Sequence, residues 1–385
     1  MITNGIYFKN FNLKKKKSPK VANILKVILK KKDPIIQSLS KNFKNSFDTK
    51  ILRKFYSSKN FRIIGMGGSI LGTEAIYNFL RNKVKKNFLF INDLDVSIMN
   101  KKKEKYSNLI VSKSGETIET IVNLNILTNK SDKNLFITEN RKSYLYEMAE
   151  KLKAEVIHHN NFIGGRYSVL SETGMLPAEL MGLNSKKFRQ LNTLINNRKY
   201  LNSLVANVES ILFFVKKKKY NSVILNYDKK SEGLFYWYQQ LVAESLGKNK
   251  KGLLPIVSNM PKDNHSVMQL YLDGFNNNFF TFFYVNENNS SKIISNTILS
   301  KKKYLKNKKL TDIIFAQKKA TENVFTKKKI PFRSFEISKR DEKTLGELFC
   351  FFILETILLG KVMKINPFNQ PAVELIKDET KKILS

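Results

Sequence analysis

Short apolar runs alternate with amphipathic stretches from Phe61 onward, and this alternation sets the expected architecture. The runs FRIIG (61–65), NFLFI (87–91), NLIV (108–111), NLFIT (134–138) and AEVI (154–157) have the length and residue types of buried strands. Helix-compatible segments fall between them, starting near Leu71, Glu116 and Lys142. Strands separated by helices form βαβ units, which build a parallel sheet with helices on both faces. A polar link, LNSKKFRQLNTLINNRKY (183–200), precedes a second series. Its predicted strands are SVILN (222–226), LLPIV (253–257), FFTFFYV (279–285) and PFRSFEI (331–337), with helices near 232–246, 264–273 and 309–326.

Two such blocks in tandem predict an α/β chain with two doubly wound, three-layer α/β/α domains, at 45–183 and 184–340. A short helical arm over VANILKVILKK falls within residues 1–44, and the segment 341–385 reads as helical to its end.

Composition narrows the function classes. The 385 residues suffice for two cores, and 42% hydrophobic with 11% aromatic residues marks a globular chain. Cys350 is the single cysteine, which excludes an internal disulfide, and three histidines argue against a zinc cluster. Its neighbours Phe349, Phe351 and Phe352 make Cys350 a buried, inert thiol. The N-terminal segment has no apolar stretch bounded by a cleavage site, so no secretory leader is expected. The most apolar segment, LGELFCFFILETILLG (345–360), is too short to span a bilayer and carries Glu347 and Glu355. A buried helix, a cytoplasmic location and no membrane partner are the expectations.

The formal net charge of +37 raises a nucleic-acid partner. A nucleic-acid binder gathers its basic residues on one face or stripe. Here the lysine runs at 14–17, 101–103, 216–219, 301–303 and 327–329 fall mostly in polar gaps along the whole chain. They read as solvated surface, so no nucleic-acid partner is expected, although such a field draws anionic substrates.

Several turns carry candidate chemistry. In NLIVSKSGETIET the strand breaks into Ser112, Lys113, Ser114, Gly115, Glu116 and Thr117 just before a helix. Unpaired N–H groups at a helix start, with hydroxyls at 112, 114 and 117, suit an anion. The competing reading is a plain N-cap turn. FRIIGMGGSILG (61–72) is a second strand–glycine turn–helix, with Gly68 and Ser69 at the helix entry. Its spacing is not that of a dinucleotide fingerprint, and only Asp93 and Asp95 could serve as a ribose-binding acid. FIGGRYS presents Arg166 after two glycines, for an oxyanion or for a surface ion pair. Glu244 falls near the end of an apolar helix ending at Gly247, as a general base among Trp237, Leu241 and Val242 or as an ordinary helix-end glutamate. His265 lies at or just inside a helix start, whereas His158 and His159 read as solvated. Lys377, on a terminal amphipathic helix, has the pattern of a snorkelling lysine.

The blocks GMGGSILG, VSKSGET, GGRYSVLS, QQLVAESLGK, DNHSVMQL and NQPAVELIK occur in an order that resembles the glucose-6-phosphate isomerase (phosphoglucose isomerase) family, from about residue 61 to 377. The resemblance implies two unequal sugar-isomerase (SIS) domains plus C-terminal helices. It also implies the reversible isomerisation of glucose 6-phosphate and fructose 6-phosphate, in glycolysis and gluconeogenesis, through a cis-enediolate and without metal or organic cofactor. Ser112, Lys113, Ser114 and Thr117 would hold the phosphate, and Gly68 and Ser69 would line the sugar side. Glu244 would be the base and Arg166 would stabilise the intermediate. His265 would open the ring, with Lys377 supporting it and Gln370 nearby. In such enzymes the histidine enters from the neighbouring subunit, which implies a homodimer. The chain departs from the family pattern at Ser114, where threonine is common, and at SETG (171–174), where SPVG is usual. AVELIK (372–377) lacks a frequent glycine, and the N-terminal arm is short. A different sugar-isomerase-domain protein would share the phosphate cradle, and a sensor would need no acid–base pair.

Overall fold

Among the described residues two five-stranded sheets organise the chain, and nine of their ten strands fall where the apolar runs predict them. The structure, a computed structural model, describes residues 1–13, 19–31, 33–97, 105–287, 290–293 and 300–385. The first sheet contains β2 (Asn60–Gly65), β3 (Asn87–Ile91), β4 (Ser107–Val111), β5 (Lys133–Thr138) and β6 (Glu155–His158). All are parallel, in the order β3-β2-β4-β5-β6. The second contains β1 (Ile6–Lys9), β7 (Asn221–Asn226), β8 (Leu254–Asn259), β9 (Asn278–Val285) and β10 (Phe332–Ile337), in the order β1-β10-β9-β7-β8. Its last four strands are parallel and β1 is antiparallel to β10.

Both sheets place the first strand of their block between the second and the third, so the strand order reverses beside β2 and beside β7. At such a switch point two loops leave the sheet side by side and open a crevice. In the first sheet the last paired residues are Gly65 and Val111, so the GMGGS and SKSGET turns depart together.

Three expectations need correction. The N-terminal arm is not only helical: Ile6–Lys9 adds an edge strand with Ile6 opposite Ile337, and Phe8 packs 4.6 Å from Phe335. Four residues give no periodicity to read, and the pairing is decided by a partner more than 300 residues away. The polar link holds short helices at Ser185–Phe188 and Leu191–Leu194, and it is packed into the body. Phe188 and Arg189 are buried there, and Arg189 donates to the Leu170 carbonyl at 2.9 Å. Backbone carbonyls satisfy this arginine, which hydropathy alone reads as surface. The helix expected at 264–273 starts later, at Met268, and His265 closes a 3₁₀ turn, Lys262–His265.

The helix Glu342–Val362 is buried along most of its length, which is why its sequence lacks a polar face. One continuous core joins Ile63 and Leu109 of the first sheet to Ile224 and Phe279 of the second, with Leu348 and Phe352 of this helix in the same cluster. Cys350 lies in it as expected, and burial pushes its thiol up to about 12. No helix among the described residues is long and apolar enough to cross a membrane. The lysines at 216–218, 301–303 and 327–329 are exposed, while those at 14–17 and 101–103 lie outside the described residues.

Candidate active site

The SKSGET turn folds on itself. Ser112 Oγ lies 3.0 Å from Thr117 Oγ1 and accepts from the Gly115 N–H at 3.2 Å. Ser114 Oγ accepts from the Glu116 N–H at 3.2 Å. Thr117 occupies the N-cap of the helix Ile118–Leu127, yet no side chain caps that helix. Its hydroxyl turns to Ser112 instead, so the first-turn N–H groups are not committed to a cap and suit an anion. Gly115 has φ of +71°, and a Cβ there would stand 2.2 Å from Ser143 Oγ, so only glycine fits this turn.

From this turn a chain of direct contacts leads to Arg166. The Lys113 ammonium donates to the Asn161 carbonyl at 2.7 Å and lies 3.5 Å from Glu139. Asn161 begins the short loop that ends in Gly164, Gly165 and Arg166. Gly68 meets the same loop from the other side: a Cβ on it would lie 2.2 Å from the Gly165 carbonyl carbon and 2.4 Å from the Arg166 nitrogen. Gly68 therefore allows the two backbones to touch, with Ser69 buried beside it.

Arg166 is fully buried, which removes the surface-ion-pair reading. All of its guanidinium nitrogens are engaged. Nε donates to Ser245 Oγ at 2.8 Å. Nη1 donates to Glu244 Oε2 at 3.1 Å and to Gln370 Oε1 at 2.8 Å. Nη2 donates to the carbonyls of Pro367 at 2.8 Å and Asn369 at 3.2 Å. The Arg166 carbonyl accepts from Trp237 Nε1 at 3.1 Å. The arginine is thus a fixed cation joining the first sheet's exit loop, the helix Glu232–Leu246 and the C-terminal segment.

Glu244 is held on both oxygens and remains partly open to solvent, so its carboxylate is aimed and reachable. Its second partner, Gln240, donates from Nε2 to Glu244 Oε1 at 2.9 Å. Sequence reasoning passed over Gln240. Its spacing of four from Glu244, which puts both on one helix face, was the available signal. Gln240 Oε1 is buried with no hydrogen-bond partner among the described residues, beside Gly67 of the GMGGS turn.

His265 and Lys377 stand apart from this cluster. His265 is exposed at the end of its 3₁₀ turn. Lys377 pairs at 2.7 Å with Glu374 of its own helix, Ala372–Leu384, in which no residue is buried. Among the described residues neither makes a hydrogen bond or ion pair with Glu244, Arg166 or Gln370. His158 is exposed as expected, but His159 is fully buried, contrary to its solvated reading, 3.7 Å from Glu172. Its HHNN setting is polar in sequence, but backbone bonds from His159 to Thr138 and from Asn160 to Glu172 draw it under the loop to Arg166.

Burial pushes the His159 imidazole down to about 4 from an ordinary 6.5. Between those values the unfolded chain takes up a proton that the folded chain refuses. Stability that neutral His159 supplies is therefore present above pH 6.5 and lost as pH falls toward 4. At about 1.4 kcal/mol per unit the loss reaches roughly 2 kcal/mol near pH 5. Burial raises the Glu172 carboxyl, so acidification relieves that group and acts in the opposite sense. The difference between parent and His159→Gln isolates the histidine. Urea unfolding at pH 7 and pH 5 should show the variant losing about 2 kcal/mol less than the parent. Parallel losses would rule out a neutral buried imidazole.

Known proteins resemble this chain in sequence and in fold. A family model described as phosphoglucose isomerase matches residues 41–385. A glucose-6-phosphate isomerase of Methanocaldococcus jannaschii is 33% identical over 342 residues, covering 84% of this chain and 83% of that protein. Among solved structures, a hypothetical protein from Thermus thermophilus superimposes with a TM-score of 0.82 at 21% identity, covering 95% of this chain and 94% of that one. A glucose-6-phosphate isomerase from Chlamydia trachomatis does so with 0.71 at 18% identity, covering 87% of this chain and 71% of that one.

Proposed function

The chain belongs to the phosphoglucose isomerase family, and from that premise we propose that it interconverts glucose 6-phosphate and fructose 6-phosphate in the cytoplasm by moving a proton between C2 and C1 through a cis-enediolate. The observation that carries this reading is Glu244, a reachable carboxylate fixed by Arg166 on one oxygen and Gln240 on the other.

In this reading the substrate phosphate sits on the SKSGET turn. Ser112, Ser114 and Thr117 offer hydroxyls, Lys113 a cation and the helix Ile118–Leu127 its N–H groups. Gly68 and Ser69 line the sugar. Binding energy from this remote dianion orients the reacting carbons. Glu244 removes the proton beside the carbonyl and returns it to the neighbouring carbon. Negative charge gathers on the enediolate oxygens, and the buried Arg166 is the fixed cation nearest the base. Its donors are already committed, so it reaches an enediolate oxygen by exchanging a Nη1 partner, Gln370 or Glu244. That exchange also releases the base from its ion pair.

Ring opening requires a proton at the ring oxygen, the role proposed for His265 with Lys377 in support. Both are exposed in the isolated chain. A homodimer in which His265 serves the neighbouring site is the arrangement proposed. Support for a second copy is the helix Ala372–Leu384, whose Leu375, Ile376, Ile383 and Leu384 are all exposed. A stripe of that kind calls for a covering surface.

The test supplies fructose 6-phosphate to the purified protein and follows glucose 6-phosphate with a coupled dehydrogenase. Turnover in the ordinary enzyme range, about 1–10³ s⁻¹, is expected without added metal or cofactor. A folded dimer with no turnover would overturn the assignment.

A further inference from the structure

Lys248, in the QQLVAESLGK block, has no part in the reaction as described, yet it lies against the residues that do. The helix Glu232–Leu246 ends with carbonyls that lack intrahelical donors. Gly247 leaves the helix, and the chain reverses in a tight turn in which Lys248 pairs with Lys251. Asn249 and Lys250 hold φ of 54° and 58°, the two left-handed residues that a type I′ turn needs. The reversal sends the Lys248 side chain back along the helix. Its ammonium donates to the Glu244 carbonyl at 2.7 Å and to the Ser245 carbonyl at 2.7 Å. Both of these residues also bind Arg166 through their side chains.

We infer that Lys248 is a positioning residue for this site: it ties down the last turn carrying Glu244 and Ser245, and holds a positive charge behind the Glu244–Arg166 pair. The inference rests on the reading of Glu244 as the base.

Three arguments support it. A cation at a helix C-terminus opposes the dipole's negative end, and a two-carbonyl grip removes the fraying open to a last turn. A glutamate on a frayed turn would lose its aim, and a misplacement of about 1 Å is enough to cost about 100-fold. The setting is also one that an ordinary surface lysine avoids. Burial first, and then repulsion from Arg166, bring the ammonium down to about 8, with Glu244 acting the other way. The charged groups facing it are thus Arg166 and Glu244, with the Tyr167 hydroxyl 2.8 Å from Ser245 Oγ behind them. As Lys248 loses its proton both the grip and the charge weaken, so activity should fall on the alkaline side.

The test measures kcat and KM for fructose 6-phosphate from pH 6 to pH 10 on the intact protein, its Lys248→Arg variant and its Lys248→Met variant. Arginine keeps its charge throughout this range and can still reach the carbonyls. The parent should show an alkaline limb near 8, and Lys248→Arg should move it upward by at least about one unit. Lys248→Met should lose about 10- to 100-fold in kcat with KM within about twofold. A limb unmoved by Lys248→Arg, or a Lys248→Met variant with the parent's kcat and profile, overturns the inference. If Lys248→Met fails to fold, the limb of Lys248→Arg decides alone. If the parent shows no turnover, the functional reading fails, and a crystal structure of Lys248→Met decides the positioning. Glu244 Oε2 still about 3.1 Å from Arg166 Nη1 would then overturn it, and a displaced carboxylate would support it.

Discussion

Glu244→Gln should slow turnover of fructose 6-phosphate by about 10²–10⁴-fold, the contribution of a positioned general base, while the protein unfolds at nearly the parent's urea concentration. The variant has the parent's shape, so the two effects separate cleanly. A carboxamide oxygen can still accept from Arg166 Nη1, and Arg166 keeps Ser245, Gln370, Pro367 and Asn369 whatever happens at Glu244. No buried cation is stranded, which is the event that makes such substitutions destructive. KM should change little, because the turn proposed to hold the phosphate is a separate element. Glu244→Asp is the sharper companion. It keeps the carboxylate but draws it back by about one bond length, enough to cost about 100-fold if the observed geometry is the catalytic one. A Glu244→Gln protein as fast as its parent would remove Glu244 from the chemistry and leave the site a binding cradle.

Much of this arrangement was legible in the sequence, for a physical reason. Buried parallel strands are short apolar runs bounded by turn residues, so NFLFI reads as β3 to the residue. Glycine turns betray themselves because only glycine allows backbones to touch, as at Gly68. What sequence reasoning missed depends on partners distant along the chain. The edge strand Ile6–Lys9 exists because β10 offers it an edge. His159 and Arg189 are buried because backbone carbonyls, of Thr138 and of Leu170, receive their N–H groups, and polar composition hides that. The donors of Arg166 are matched by segments up to 204 residues away, so its role as a joint between three parts of the chain needed the fold. The reading of SKSGET as a cradle also gained from structure, since the sequence allowed a cap and Thr117 does not make one.

Arg333→Met should destabilise the protein by about 3–5 kcal/mol, the usual result of stripping one partner from a buried ion pair. Arg333, the second residue of β10, is fully buried, and it pairs with Glu355 of the long helix Glu342–Val362, which is equally buried. Around the pair, Arg333 Nε donates to Thr281 Oγ1 at 2.9 Å and Nη1 to Asn207 Oδ1 at 2.8 Å. Tyr238 donates its hydroxyl to Glu355 Oε1 at 2.9 Å, and Asn207 donates to the other carboxylate oxygen. The network therefore bonds the second sheet to three helices at once. Methionine fills much of the arginine's volume, so little of the loss would come from a cavity. The cost arises because the Glu355 carboxylate is left desolvated without its cation. Adding Glu355→Gln removes that stranded charge: its one oxygen can still accept from Tyr238 and its amide can donate to the Asn207 oxygen that Arg333 has vacated, so the double variant should recover a large part of the loss. Urea midpoints of the four proteins form the cycle that tests this. A double variant no more stable than Arg333→Met would mean that lost hydrogen bonds, and not the stranded charge, set the cost. Tyr238 sits on the same helix as Glu244, so the network also fixes the ground on which the base stands. Arg333→Met should accordingly lower kcat well below the melting range, and a fully active variant would show that the site is held from the Arg166 side alone.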